Sequence, residues 1–160
     1  MRVLFVCTGN ICRSPMAEGL FRHRIRQAGL EKRLRADSAG THGYHVGNPP
    51  DERAIAVAAR HGIDIRDLRA RQLDRTDFQA FDLLLGMDEG HLAFMRRLAP
   101  PQATPRIGLL LDQAPQLGYR EVPDPYYGEE ADYRLAFELV EAGVEGLIRR
   151  LAQAAAAVSA

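Results

Sequence analysis

The chain alternates between short unbroken apolar runs and stretches whose apolar residues recur every third or fourth position. Arg2 to Val6 is β-branched and aromatic enough to predict a buried strand. Met16, Leu20 and Ile25 then recur at helical spacing. They predict a helix from Ser14 to Ala28, with Ser14 as N-cap, Pro15 at the first helical position and Gly29 as the stop. Its Arg22, Arg24 and Arg26 read as a solvated face. Leu34 to Ala39 reads as a second strand. Asp51 to His61 reads as a helix that turns Ile55, Val57 and Ala58 inward and ends at Gly62. A small helix is expected from Asp74 to Ala80. Phe81 to Met87 reads as a third strand, free of polar side chains except at Asp82, as in a strand buried on both faces. Asp88 reads as an ordinary N-cap for a helix over Glu89 to Leu98, and Ile107 to Leu111 as a fourth strand. A last helix spans Ala131 to Ala156 with Leu135, Leu139, Val140, Val144, Leu147, Ile148 and Leu151 as its apolar stripe, and Ala152 to Ala160 is expected to fray. Strands alternating with helices imply a doubly wound α/β fold: four parallel strands flanked by about five helices in three α/β/α layers.

Length and composition narrow this little but usefully. A chain of 160 residues is expected to be one domain, 1–160, with a sizeable core. Formal net charge is zero, so global charge points to neither nucleic acid nor a membrane surface. No apolar run reaches the ~18 residues of a membrane span. The first residues pass from strand directly into Thr8-Gly9-Asn10, unlike a secretory signal. Cys7 and Cys12 are the only cysteines and do not form a disulfide framework, so a cytoplasmic, reducing home is expected.

The chemistry concentrates between the first strand and the first helix, in the eight residues from Cys7 to Ser14. A loop wrapped over a helix N-terminus gathers several backbone N–H groups into one hollow, and the helix dipole favours an anion there. Arg13 adds a planar fork of donors suited to a phosphate oxyanion. Cys7 sits at the floor, where the same field stabilises a thiolate. A thiolate beneath a bound phosphate is an in-line nucleophile, and a cysteinyl phosphate divides one hard displacement into two. The Cys-x5-Arg spacing is weak evidence by itself in a chain with twenty arginines. The strand before it, Gly9 and Asn10 within it and Ser14-Pro15 after it give it weight.

A second stretch fits that chemistry. Asp112 to Glu130 reads as a long irregular connection, and such loops in compact domains are usually functional. It carries Val122-Pro123-Asp124-Pro125-Tyr126-Tyr127-Gly128, an acid held between prolines and followed by two aromatics. Asp-Pro-Tyr alone is a turn signal. Beside a phosphate hollow, Asp124 becomes a candidate to protonate the leaving alkoxide or phenoxide and then to activate water. His42 and His45 lie in an irregular loop without a carboxylate or cysteine at ligand spacing, so no metal is expected.

Val-Cys-x-Gly-Asn-Ile-Cys-Arg-Ser-Pro-x-Ala-Glu near the N-terminus closely resembles the low-molecular-weight protein tyrosine phosphatases. The likeness extends through Ser38-Ala39-Gly40-Thr41, Val46-Gly47-Asn48-Pro49, Arg53-Ala54, Ala70-Arg71-Gln72-Leu73 and the Asp-Pro-Tyr segment. It implies strand order 2-1-3-4 and hydrolysis of phosphotyrosine and other aryl phosphates. It makes Cys7 the nucleophile, Arg13 the transition-state clamp and Asp124 the general acid and base. Thr8, Gly9, Asn10, Ile11 and Cys12 would form the phosphate loop, with Asn10 holding its unusual backbone. Ser14 would donate to the Cys7 sulfur, and Cys12 could pair with Cys7 under oxidation. Tyr44, Tyr126 and Tyr127 would line the cleft, the last two being phosphorylation sites in relatives. The resemblance implies no metal or cofactor. Its partners would be a phosphotyrosine-containing protein, a tyrosine kinase among the candidates, and phosphate or another oxyanion in the loop; a monomer or weak dimer is expected. The chain departs from the family pattern at Leu68, where many relatives carry a histidine of the polar network behind the loop, and at His91, where Met-Asp-x-x-Asn is usual.

Three rivals are weaker. A thioredoxin-linked arsenate reductase on the same fold needs two resolving cysteines downstream, and none follows Cys12. A protein arginine phosphatase typically has threonine where this chain has Ile11. A phosphopeptide-binding module would have no use for both Cys7 and Asp124. A nucleotide P-loop is excluded, since no G-x4-G-K-[ST] occurs and Lys32 is the sole lysine.

Overall fold

The computed structural model describes residues 1–159, with side chains at all of these except 104, 105, 158 and 159. Four strands, β1 (Arg2–Cys7), β2 (Arg35–Gly40), β3 (Leu83–Gly86) and β4 (Ile107–Leu109), form one parallel sheet in the order β2-β1-β3-β4. Strand β1 lies in the interior of the sheet, pairing Phe5 with Ser38 on one side and Leu85 on the other. Helices α1 (Arg13–Gln27), α2 (Glu52–Arg60), α3 (Asp77–Ala80), α4 (Glu89–Leu98) and α5 (Glu130–Ser159) cover the two faces.

Side chains on a strand alternate between faces, and β1 divides its apolar residues accordingly. Val3, Phe5 and Cys7 join a cluster with Met16, Leu20 and Phe21 of α1 and with Phe137, Val140 and Val144 of α5. Leu4 and Val6 face Leu84, Leu109, Phe78 of α3 and Leu92 and Met95 of α4. Phe5 meets Phe21 edge to face, ring centroids 5.6 Å apart. Each fully buried side chain of this size contributes about 1.5–3 kcal/mol relative to exposure. The core therefore clamps β1, and with it the start of the loop that follows.

Several boundaries move from their expected places. Strand β4 stops at Leu109 because Leu110–Gln113 winds into a 3₁₀ turn that packs Leu110 and Leu111 toward α5. Phe81 and Met87 flank β3 outside its bounds, although the Met87 N–H still donates to the Val6 carbonyl of β1 at 3.2 Å. The small helix keeps only Asp77–Ala80. Helix α5 is assigned through Ser159, and Ala160 lies outside the described residues. Leu135 faces solvent instead of the core, while Ala136 and Phe137 beside it are buried. The basic face of α1 is partly engaged: Arg22 pairs with buried Glu18 at 2.6 Å, and Arg24 with Glu141 at 3.1 Å. Among the described residues no helix is long and apolar enough to cross a membrane.

The carboxyl ends of the strands carry the connections that diverge around β1. Ligand crevices of open α/β sheets lie there.

Candidate active site

The loop leaving β1 begins at Cys7, which is 2% exposed, and runs into α1. That helix starts two residues earlier than expected, at Arg13 instead of Pro15. Cys12 occupies the N-cap position and makes no side-chain capping bond, so Ser14 is not the cap. Pro15 falls in the first turn, where its missing N–H has no partner to lose. Among the described residues, no protein acceptor meets the N–H groups of Gly9, Asn10, Ile11 and Cys12. An uncapped helix terminus and four free N–H groups are a ready anion site.

Ser14 serves the sulfur instead. Asn10 Nδ2 can only donate, and it donates to Ser14 Oγ at 2.8 Å. The Ser14 hydroxyl proton is thereby left for Cys7 Sγ, 3.0 Å away. Asn10 also donates to Ser38 Oγ at 2.9 Å and accepts from the Arg71 N–H at 2.9 Å. Its φ of 58° is the positive value that asparagine tolerates better than most residues. The Ser38 hydroxyl in turn donates a hydrogen bond to Glu18 Oε1 at 2.6 Å. Burial raises the Glu18 carboxyl above its ordinary value, opposed by the Ser38 bond and Arg22. Asn10 thus has three partners without a histidine at position 68, and Leu68 packs against the core.

Arg13 is buried to 2% exposure. Its Nη1 donates to Asp88 Oδ2 and to the Val122 carbonyl, both at 2.9 Å. Nη2 lies 3.4 Å from His91 Nε2 and 3.6 Å from Asp124 Oδ2. Asp88 does cap α4, accepting from the His91 N–H at 3.1 Å, but the cap reading covered only half its role. His91 Nε2 also sits 3.0 Å from Thr8 Oγ1. Burial, with Arg13 adding to it, pushes His91 down to about 4 from its usual 6.5.

The opposite wall comes from the Asp124 segment. Asp124 is about half exposed, and Oδ1 accepts from the Tyr126 N–H at 3.1 Å, which fixes the carboxyl at the mouth. A hollow of about 160 Å³ lies between, floored by Cys7, Thr8, Gly9 and Arg13 and walled by Tyr44, Asp124, Tyr126 and Tyr127. Ile11 and Cys12 also border it. Gly9 allows His45 to approach, since a Cβ there would stand 2.9 Å from the imidazole. The loop histidines pack against cleft aromatics: His42 stacks on Tyr44 at 5.1 Å, and His45 lies 6.1 Å from Tyr126. Cys12 Sγ contacts Tyr133 Oη at 3.3 Å, and burial pushes its thiol up to about 12. A larger hollow of about 800 Å³ lies at the far end of the sheet, among Arg2, Arg26 and Arg33, and neither cysteine lines it.

Arg53 is a positioning residue that sequence reading passed over. It chelates Asp51 with bonds of 3.0 Å and donates to the Tyr126 carbonyl at 3.1 Å, and its guanidinium lies 4.6 Å from the Tyr133 ring centre. The Asp51 N–H in turn donates to the Ile11 carbonyl at 2.8 Å. This bracket ties the loop after β1 to the Asp124 segment through the start of α2. Asp-x-Arg at a helix start was the available signal.

Comparison with known proteins agrees with this geometry. The family model for low molecular weight phosphotyrosine protein phosphatase matches residues 2–157. A low molecular weight protein-tyrosine-phosphatase of Streptomyces coelicolor is 48% identical over 92% of this chain and 91% of its own. The Bacillus subtilis low molecular weight protein-tyrosine-phosphatase YfkJ is 41% identical over 91% of this chain and 92% of its own. The YfkJ crystal structure superposes with a TM-score of 0.91, covering 96% and 95% of the two chains. The structure of a protein tyrosine phosphatase from Entamoeba histolytica, with Hepes in its active site, gives a TM-score of 0.92 at 35% identity over 96% of this chain and 98% of that one. A cysteine under an open ring of N–H groups, an arginine fork beside it and this extent of likeness lead to one conclusion: the chain belongs to the low molecular weight phosphotyrosine protein phosphatase family.

Proposed function

We propose that the protein hydrolyses phosphotyrosine on protein substrates through a cysteinyl phosphate, as one domain spanning the chain. The observation that carries this reading is the placement of Asp124 at the mouth of the hollow whose floor is Cys7. The Cys7 thiolate attacks phosphorus, forming the S–P bond as the P–O bond to the tyrosine ring breaks. Asp124 gives its proton to the departing phenolate. Arg13 Nη2 and the loop N–H groups bind the charge on the equatorial oxygens. Water then attacks phosphorus, Asp124 takes a proton from it, and the S–P bond breaks. The Ser14 hydroxyl stabilises the returning thiolate, which makes sulfur a better leaving group. Tyr44, Tyr126 and Tyr127 supply aromatic surface for the substrate ring.

No step in this scheme calls on a metal or cofactor. A reducing, cytoplasmic setting suits the thiolate, and a monomer or weak dimer leaves the mouth free for a folded partner such as a tyrosine kinase. The test is a panel of phosphotyrosine, phosphoserine and phosphoarginine peptides with the wild type and Cys7→Ser. The expected result is preference for phosphotyrosine, with turnover abolished and phosphate binding kept in the variant. Preference for phosphoarginine, or turnover by Cys7→Ser, overturns the reading.

A further inference from the structure

His91 is buried, and both ring nitrogens are engaged. Nδ1 lies 3.1 Å from the backbone N–H groups of both Met87 and Asp88, at the start of α4, and 3.3 Å from Asp88 Oδ1, which already accepts the His91 N–H. A backbone N–H can only donate, so Nδ1 presents its lone pair. The single proton of the neutral ring is then on Nε2. Nε2 faces Thr8 Oγ1 at 3.0 Å and Arg13 Nη2 at 3.4 Å. Arg13 is itself a donor, so the Nε2 proton goes to the Thr8 oxygen. That bond uses a lone pair of the hydroxyl and leaves its hydrogen to be donated elsewhere. Thr8 lines the hollow above Cys7.

We infer that His91 is a positioning residue: it turns the Thr8 hydroxyl into a hydrogen-bond donor for the transferring phosphoryl group. The inference rests on the phosphatase reading and adds one side-chain donor to the backbone donors of the loop. The ring remains neutral in the working range because burial, the Arg13 guanidinium and His42 together outweigh the Asp88 and Asp124 carboxylates that favour its protonation. A purely structural histidine would need only its Nδ1 contacts, which hold the first turn of α4. The Nε2 contact is the one that reaches the site.

The two nitrogens can be tested separately. In His91→Asn the amide oxygen takes the place of Nδ1 and keeps the backbone acceptor, but the side chain is too short to reach Thr8. Thr8→Val removes the hydroxyl at constant shape. Each substitution is expected to lower kcat/KM for p-nitrophenyl phosphate about tenfold, with thermal unfolding close to wild type. The double variant should be no worse than Thr8→Val, since both act through one bond. Inorganic phosphate binding, measured by calorimetry in a Cys7→Ser background, should weaken by a similar factor in each variant. This second readout needs no turnover, so a failure of the phosphatase reading and a failure of the His91 link are told apart. Wild-type activity in Thr8→Val, losses that multiply in the double variant, or phosphate affinity unchanged by both substitutions would overturn the inference.

Discussion

Asp88 offers the sharpest test of how the arginine is held. Its two carboxylate oxygens do different work: Oδ1 caps α4, and Oδ2 accepts from Arg13 Nη1 at 2.9 Å. Arg13 is buried, while the Asp88 side chain keeps 26% of its exposure, so water screens the pair in part. A hydrogen bond to a charged group contributes about 1.5–3 kcal/mol, and partial exposure places this one near 2 kcal/mol. Loss of the cap costs about 1 kcal/mol more. Asp88→Asn keeps an oxygen for the cap and loses the charge, so it should destabilise by about 2 kcal/mol. Asp88→Ala loses both and should cost about 3 kcal/mol. At this chain length those values correspond to falls in Tm of about 6 and 9 °C. In both variants Val122 becomes the only acceptor on Nη1, and the guanidinium is free to swing. Misplacement by about 1 Å costs up to ~100-fold in rate, so kcat for p-nitrophenyl phosphate should fall 10- to 100-fold in both. The assays are thermal unfolding and steady-state kinetics on the three proteins. If Asp88→Asn unfolds and turns over like the wild type, and only Asp88→Ala is weakened, Asp88 is merely a helix cap and the clamp argument fails.

Asp124→Ala should slow hydrolysis of phenyl phosphates with poor leaving groups by 10²- to 10⁴-fold, and activated ones such as p-nitrophenyl phosphate much less. A leaving-group series showing equal losses would count against the acid role. The buried His91 predicts acid sensitivity of the fold. Its pKa falls from 6.5 to about 4 on folding, so between those values the unfolded chain binds a proton that the folded chain refuses. This contribution is complete above pH 6.5 and is lost as pH drops toward 4, amounting to about 3 kcal/mol at most. Urea unfolding across that window should show a stability difference between wild type and His91→Asn that changes with pH; a constant difference would refute the assignment.

The sequence by itself determined the four strands, the long helices and the two stretches that meet at the site. These are local signals: unbroken apolar runs, helical spacing, a cysteine and an arginine in one loop, and an aspartate between prolines. It also led to the wrong cap for α1, because Ser14-Pro15 has the local chemistry of a helix start. Only the folded chain shows the Ser14 hydroxyl directed at Cys7 by Asn10. Strand ends were equally out of reach, since Phe81 and Leu110 are apolar whether or not a partner strand is present to pair with them.

What tertiary structure decided is which distant groups share a hydrogen. Asp88, His91 and Val122 converge on Arg13 from more than seventy positions away, and Arg53 reaches the Tyr126 carbonyl across a similar separation. Local residue pattern cannot express such pairings, because a donor's partner depends on where the sheet brings two loops together. Cys7 and its loop could therefore be read from one short segment, while the groups packed around them had to await the packing of α4, the start of α2 and the Asp124 segment around the end of β1.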